Sequence, residues 1–122
     1  MSGDPRRSLG HIGEQLAAAH LERCGFEIVE RNYRTRWGEL DIVAFDGSTL
    51  AFCEVKTRRG AGANPLEAIH PRKRMQVRNM ARAWLSGRTA RPHAALLRFD
   101  AIGVTLDRRG RMVKLEHLEG AF

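Results

Sequence analysis

Two neighbouring runs, LDIVAF at Leu40–Phe45 and TLAFCEV at Thr49–Val55, leave this chain the least freedom. A half-exposed strand alternates apolar and polar residues. Both runs are instead apolar at odd and even positions alike, apart from Asp41 and Glu54. Strands of that kind are covered on both faces, which predicts an α/β fold with a mixed central β-sheet flanked by helices. The intervening DGST reads as a hairpin turn, with Gly47 supplying the positive φ that a two-residue loop needs. Counting outward from that loop, Phe45 meets Leu50, Val43 meets Phe52 and Asp41 meets Glu54, while Lys56 falls opposite Glu39.

The rest of the chain supplies the covering layers. Ser8 caps a predicted helix that runs to about Cys24 and stops at Gly25, with Ile12, Leu16, Ala19 and Leu21 at helical spacing. Residues 1–8 read as a flexible N-terminal tail ahead of one domain spanning 1–122. Phe26–Tyr33 is a strand, so three strands follow one another and pair antiparallel. Asn64 and Pro65 begin a short helical turn, and His70 and Pro71 begin a second helix that reaches about Leu85 before Gly87. Ala94–Thr105 and Met112–Leu118 close the chain as strands.

The hairpin's charges are the unusual feature. Any even register shift keeps Asp41, Glu54 and Lys56 on one side of the sheet, because side chains alternate with period two. Directly opposed carboxylates stand about 5 Å apart and repel by roughly 3–4 kcal/mol at an effective dielectric near 20. Folding gains nothing from that arrangement. A small hard dication such as Mg²⁺ or Mn²⁺ would convert the repulsion into coordination; an exposed strand end neutralised by Lys56 and nearby arginines is the plainer alternative.

Lys and Arg number 21 against 14 acids, a formal charge of +7, and 18 of the 21 are Arg, whose planar fork grips phosphate oxygens in pairs. That balance favours polyanions as partners, nucleic acid first. Arg31, Arg34 and Arg36 precede the acidic strand and Arg58 and Arg59 follow the Glu-Val-Lys triplet, while Lys73, Arg74, Arg78 and Arg82 lie on the second helix. They are the candidate phosphate contacts, with a solvated basic face as the alternative for the helical stripe. Trp37 and Tyr33 read first as packing residues and second as platforms for bases. Cys24 and Cys53 signal neither a disulfide nor a zinc site, and His11, His20, His70, His93 and His117 show no ligand spacing. No run is long enough to span a bilayer and the start lacks a signal-peptide core, so a soluble, cytoplasmic protein without a membrane partner is expected.

Asp41 followed on the next strand by Glu54-Val55-Lys56 resembles the PD-(D/E)XK nuclease superfamily. More closely, the blocks GHIGEQLAAAHLERCGFEIVERNYR, GELDIVAFDGSTLAFCEVKTR, NPLEAIHPRKR and LRFDAIGV resemble the small bacterial YraN-like family, related to archaeal Holliday-junction resolvases, from Gly10 to about Val104. The resemblance implies a restriction-endonuclease-like core. It implies that Asp41 and Glu54 hold Mg²⁺ or Mn²⁺, that Lys56 assists the attacking water or steadies the phosphate, and that Glu14 on the first helix joins the site. Leu40 stands where the literal signature has Pro. The activity implied is endonucleolytic hydrolysis of DNA, of branched or structured DNA by analogy, with a homodimer supplying two sites for two strands. Gly10 and Gly13 leave room for Glu14's helix to approach the sheet, although an acid in a first helical turn also has a dipole reason to be there. Glu39 is an alternative third acid, with pairing to Lys56 or an Arg as its other role, and Gln76 is a candidate hydrogen-bonding residue. A basic nucleic-acid-binding module that keeps the nuclease fold without its chemistry is the competing reading.

Overall fold

The structure is a computed structural model that describes residues 5–122 except 61, 63, 69, 71, 72, 89 and 91, with the side chains of 5–8 and of Ala68 also outside the described set. Helix α1 spans Pro5–Arg23, so residues 5–8, expected in a tail, are helical, and residues 1–4 lie outside the described residues. Strands β1 (Glu27–Thr35), β2 (Gly38–Phe45) and β3 (Thr49–Arg59) follow. A 3₁₀ turn at Pro65–Ala68 leads to helix α2 (Lys73–Ser86), then β4 (Leu96–Leu106) and β5 (Met112–Leu118). Pro71, expected to open the second helix, lies outside the described residues.

The strands lie in the order β1-β2-β3-β4-β5. β1, β2 and β3 form an antiparallel meander, β4 returns parallel to β3 by way of α2, and β5 pairs antiparallel with β4. A parallel return needs a crossover connection, and α2 is that crossover. The mixed sheet with helices on its faces matches the α/β expectation and is consistent with a restriction-endonuclease-like core. Among the described residues no helix is long and apolar enough to cross a membrane.

The apolar runs are covered on both faces, as their composition requires. Every residue of β3 from Thr49 to Val55 is buried. One side chain set, Ile42, Ala44, Ala51, Cys53 and Val55, packs against Ala17 and Leu21 of α1. The other, Val43, Leu50 and Phe52, packs against Val77, Met80 and Trp84 of α2. The hairpin takes the expected register: Phe45↔Leu50, Val43↔Phe52 and Ile42↔Cys53 are partners. Asp46 fixes the turn, its Oδ1 accepting the Ser48 and Thr49 N–H groups at 3.0 and 2.7 Å, with Gly47 at φ +103°.

Trp84 is the largest wholly buried side chain, and its indole Nε1 donates to Glu30 Oε1 at 3.2 Å. Arg88 donates to the same oxygen at 2.9 Å and lies over the indole. Glu30→Ala strips the buried indole N–H of its acceptor, an expected cost of about 1–2 kcal/mol. A urea midpoint equal to that of the unaltered protein would show that water replaces the carboxylate without loss.

Candidate metal and phosphate site

The site forms where strict alternation stops. Leu40 belongs with Val43 in the α2-side core, whereas Ile42 and Ala44 belong to the α1-side core. A regular strand would put Leu40 with Ile42, so the pleat is broken at Asp41. The facing strand breaks at the same level. Arg31↔Ile42 and Tyr33↔Leu40 are partners, which leaves Asn32 opposite Asp41, and Asn32 adopts φ +55°, the left-handed conformation that Asn tolerates better than most residues.

This double irregularity turns Asp41 and Asn32 toward α1. Carboxylate oxygens of Glu14, Glu39 and Asp41 all lie within 4.8 Å of one another. The Asn32 amide donates to Glu14 Oε1 at 2.6 Å and to Glu39 Oε1 at 3.1 Å, bridging two of the three acids. α1 reaches the strands closely because Gly13 is buried against Thr57 of β3. Gly10, also expected to give room, has nothing within 4 Å of where a Cβ would stand.

The ladder between β2 and β3 ends at Ile42↔Cys53, one pair short of Asp41 and Glu54. Asp41 Oδ2 instead accepts the Val55 N–H at 2.7 Å. Glu54 remains on the α2 side, where its buried carboxylate meets Lys73 Nζ at 2.8 Å and Lys56 Nζ at 3.5 Å. The direct opposition of Asp41 and Glu54 expected from the register is therefore replaced by a Glu14–Glu39–Asp41 group, with Glu54 beside it under two ammonium groups. Lys56 pairs with Glu54 and not with Glu39, whose ion-pair partner is Arg34 at 3.6 Å.

The charges make the group a poor companion for itself. Burial, then Glu54, then Glu14 and Glu39 push the Asp41 carboxyl up to about 8 against the pull of the Val55 N–H bond. Burial also raises Glu14, with Glu39 adding to the rise and the Asn32 hydrogen bond and Arg31 opposing it. Three hard oxygen donors so close together suit Mg²⁺ or Mn²⁺. The same set reads without an ion as carboxyls that share protons and lean on Asn32.

The remaining candidates divide. Arg31 places Nε and Nη2 in the interior without a hydrogen-bond partner among the described residues, close enough to act on Glu14. Arg34, Arg58 and Arg74 are exposed, and exposed Arg36 lies 4.5 Å from the ring centroid of Trp37. Trp37, expected to pack, is on the surface, whereas Tyr33 does pack in the α2-side core. Arg78 is turned away from the stripe it was expected to share with Arg74 and Arg82: it donates to the Phe122 carbonyl at 2.9 Å and covers the Phe99 ring. Lys73, expected on phosphate, is engaged with Glu54. Gln76 donates to the Trp37 carbonyl beside Gly38. Asn32, which bridges two of the acids, is the residue of this group that the sequence did not single out; its only signal is an amide within a strand run.

Comparison with known proteins is consistent over nearly the whole chain. Residues 13–104 match the model of "Uncharacterised protein family UPF0102". A UPF0102 protein of Acidothermus cellulolyticus is 46% identical over 126 residues, covering 96% of this chain and 95% of that one. One from Parafrankia sp. is 49% identical over 117 residues, with 93% and 95% coverage, and one from Mycolicibacterium smegmatis is 44% identical over 123, with 98% and 97%. The matched span holds Glu14, Asn32, Glu39, Asp41, Glu54, Lys56 and Lys73, and on this match the chain belongs to the UPF0102 family.

Proposed function

We propose that the protein is a metal-dependent phosphodiesterase of the PD-(D/E)XK kind acting on nucleic acid, DNA in the first instance and branched or structured DNA by analogy with the resolvases. The observation that carries this reading is the convergence of Glu14, Glu39 and Asp41 within 4.8 Å beside the Glu54–Lys56 pair. Glu14, Glu39 and Asp41 would hold Mg²⁺ or Mn²⁺, and Glu54 would join them by giving up Lys73. Such an ion supplies Lewis-acid stabilisation of a phosphoryl oxygen.

The chain's own groups do the rest. Lys56 Nζ, one residue along from Val55 at the gap, offers an ammonium to the charge that grows on phosphoryl oxygens during hydrolysis. Glu54 fixes that ammonium's position through its contact with Lys56 Nζ. Exposed Arg34, Arg36 and Arg58 hold flanking phosphates, which positions the strand without reading bases. A homodimer would give the two active sites that symmetric cleavage of a four-way junction requires.

The test is cleavage of supercoiled plasmid, single strands and a four-way junction in Mn²⁺. Glu54→Ala and Lys56→Ala are expected to abolish turnover with the fold intact by circular dichroism, and Glu39→Gln and Glu14→Gln to weaken Mn²⁺ binding at least about 10-fold. Full activity in these variants would end the nuclease reading. The double lysine contact at Glu54 favours one alternative, a binding module whose acid is neutralised internally; DNA binding that chelator leaves unchanged, with no cleavage of any substrate, would select it.

A further inference from the structure

The tip of the β1–β2 hairpin presents an aromatic ring that the core does not use. Arg34↔Glu39 and Thr35↔Gly38 are the last strand pairs, which leaves Arg36 and Trp37 as a two-residue loop. Side chains at such a tip stand beyond the end of the sheet. Trp37 accordingly keeps 36% of its surface open, although a buried indole would stabilise the fold. Arg36 lies over its ring, 4.5 Å from the centroid.

The tip is held from two sides. Thr35 Oγ1 accepts the Trp37 N–H at 3.1 Å and donates to the Gly38 carbonyl at 2.9 Å. The Gln76 amide of α2 donates to the Trp37 carbonyl. The indole therefore stands on a backbone fixed before any partner arrives, which lowers the ordering cost of binding. Its surroundings are cationic, with Arg36 on the ring and exposed Arg34 at the foot of the loop. The tip also adjoins the acids. Arg34 and Glu39, the strand pair just below it, line a cleft of about 410 Å³ together with Glu14 and Asn32.

We infer that Arg36 and Trp37 form a stacking platform for an unpaired nucleobase, and that this platform makes the protein select single-stranded or branched nucleic acid over continuous duplex. The inference deepens the reading of nucleic acid as the partner and rests on it. A fixed indole offers any base a π-face to lie on, and the guanidinium beside it attracts both the base and its phosphate. Continuous duplex hides both faces of every base in its own stack. Only where pairing stops, at a single strand, an open end or a branch point, is a base free to lie on the ring. Arg34, at the foot of the same loop and on the wall of the cleft, offers the adjoining phosphate a contact that reads no sequence.

Binding of the full chain is measured in EDTA, so that neither metal nor turnover enters. The chain holds two tryptophans and Trp84 is wholly buried, so quenching of the emission by a bound base reports Trp37. Oligothymidylate is expected to quench it; polyphosphate, which has the charge without the bases, is not. Trp37→Ala, a change at an exposed position, should weaken oligothymidylate binding at least about 10-fold and leave a closed-ended duplex bound as before. Trp37→Phe should keep most of that affinity and abolish the quenching. Equal quenching by polyphosphate, an equal loss on duplex and single strand, or unchanged affinity in Trp37→Ala would each overturn the platform without touching the nuclease reading. Failure to bind any nucleic acid would remove the partner, and the platform with it.

Discussion

Asp41→Asn is expected to stabilise the metal-free protein at alkaline pH while reducing Mn²⁺-dependent cleavage by about 10²–10³-fold, the scale of losing a charge-stabilising group at a reacting centre. The first half follows from linkage. The unfolded chain releases the Asp41 proton near pH 4, but the folded chain holds it to about 8. Between those values the native state binds more protons than the unfolded state, so stability falls as pH rises. The contribution is complete below about pH 4 and gone above about pH 8. Each unit of raised pKa corresponds to about 1.4 kcal/mol, so a loss of at least about 2 kcal/mol between pH 5 and pH 9 is expected from this group. Asn stays neutral throughout and its Oδ1 can still accept the Val55 N–H. Denaturation in EDTA at the two pH values checks it: an equal decline in Asp41→Asn and the unaltered protein would show that Asp41 is not strained by its neighbours. A site that is more stable without its charge and inactive without it carries the usual trade between stability and activity.

Gly13→Ala should destabilise the fold by about 2 kcal/mol or more, although the same change at an open helix position would gain about 1 kcal/mol. The sign is reversed by contact. A Cβ on Gly13 would run into the Thr57 hydroxyl and stand 2.9 Å from both Thr57 Cβ and Cγ2. The helix must then lift from β3, carrying Glu14 away from Asp41, so Mn²⁺ affinity should fall with stability. Combining Gly13→Ala with Thr57→Gly removes the obstacle, and the pair should be more stable than the two separate costs predict by at least about 1 kcal/mol. Strict additivity in urea denaturation would show that the helix approaches the sheet for another reason.

What could be read from the sequence was what short-range chemistry decides. The DGST turn and the parity of the flanking runs determine the β2–β3 register down to Ile42↔Cys53, and burial on both faces of Thr49–Val55 follows from a run that is apolar at odd and even positions alike apart from Glu54. The acids were visible as candidates for the same reason. Their grouping was not, because parity holds only while the pleat is regular, and the pleat breaks at Asn32 and Asp41. Asp41 therefore meets Glu14 and Glu39 instead of lying squarely against Glu54. Lys73 reaches Glu54 from 19 positions away through the crossover, a distance over which no local rule operates.

Position 32 shows how few residue types such a place can accept. Glycine would ease the left-handed backbone and drop the amide that spans two acids. Aspartate would tolerate the backbone and add a fourth anion to a crowd of three. Glutamine would keep the amide on a longer arm and lose the conformational tolerance. Asparagine meets both demands, which makes this plain side chain, bearing no charge of its own, hard to replace between Glu14 and Glu39.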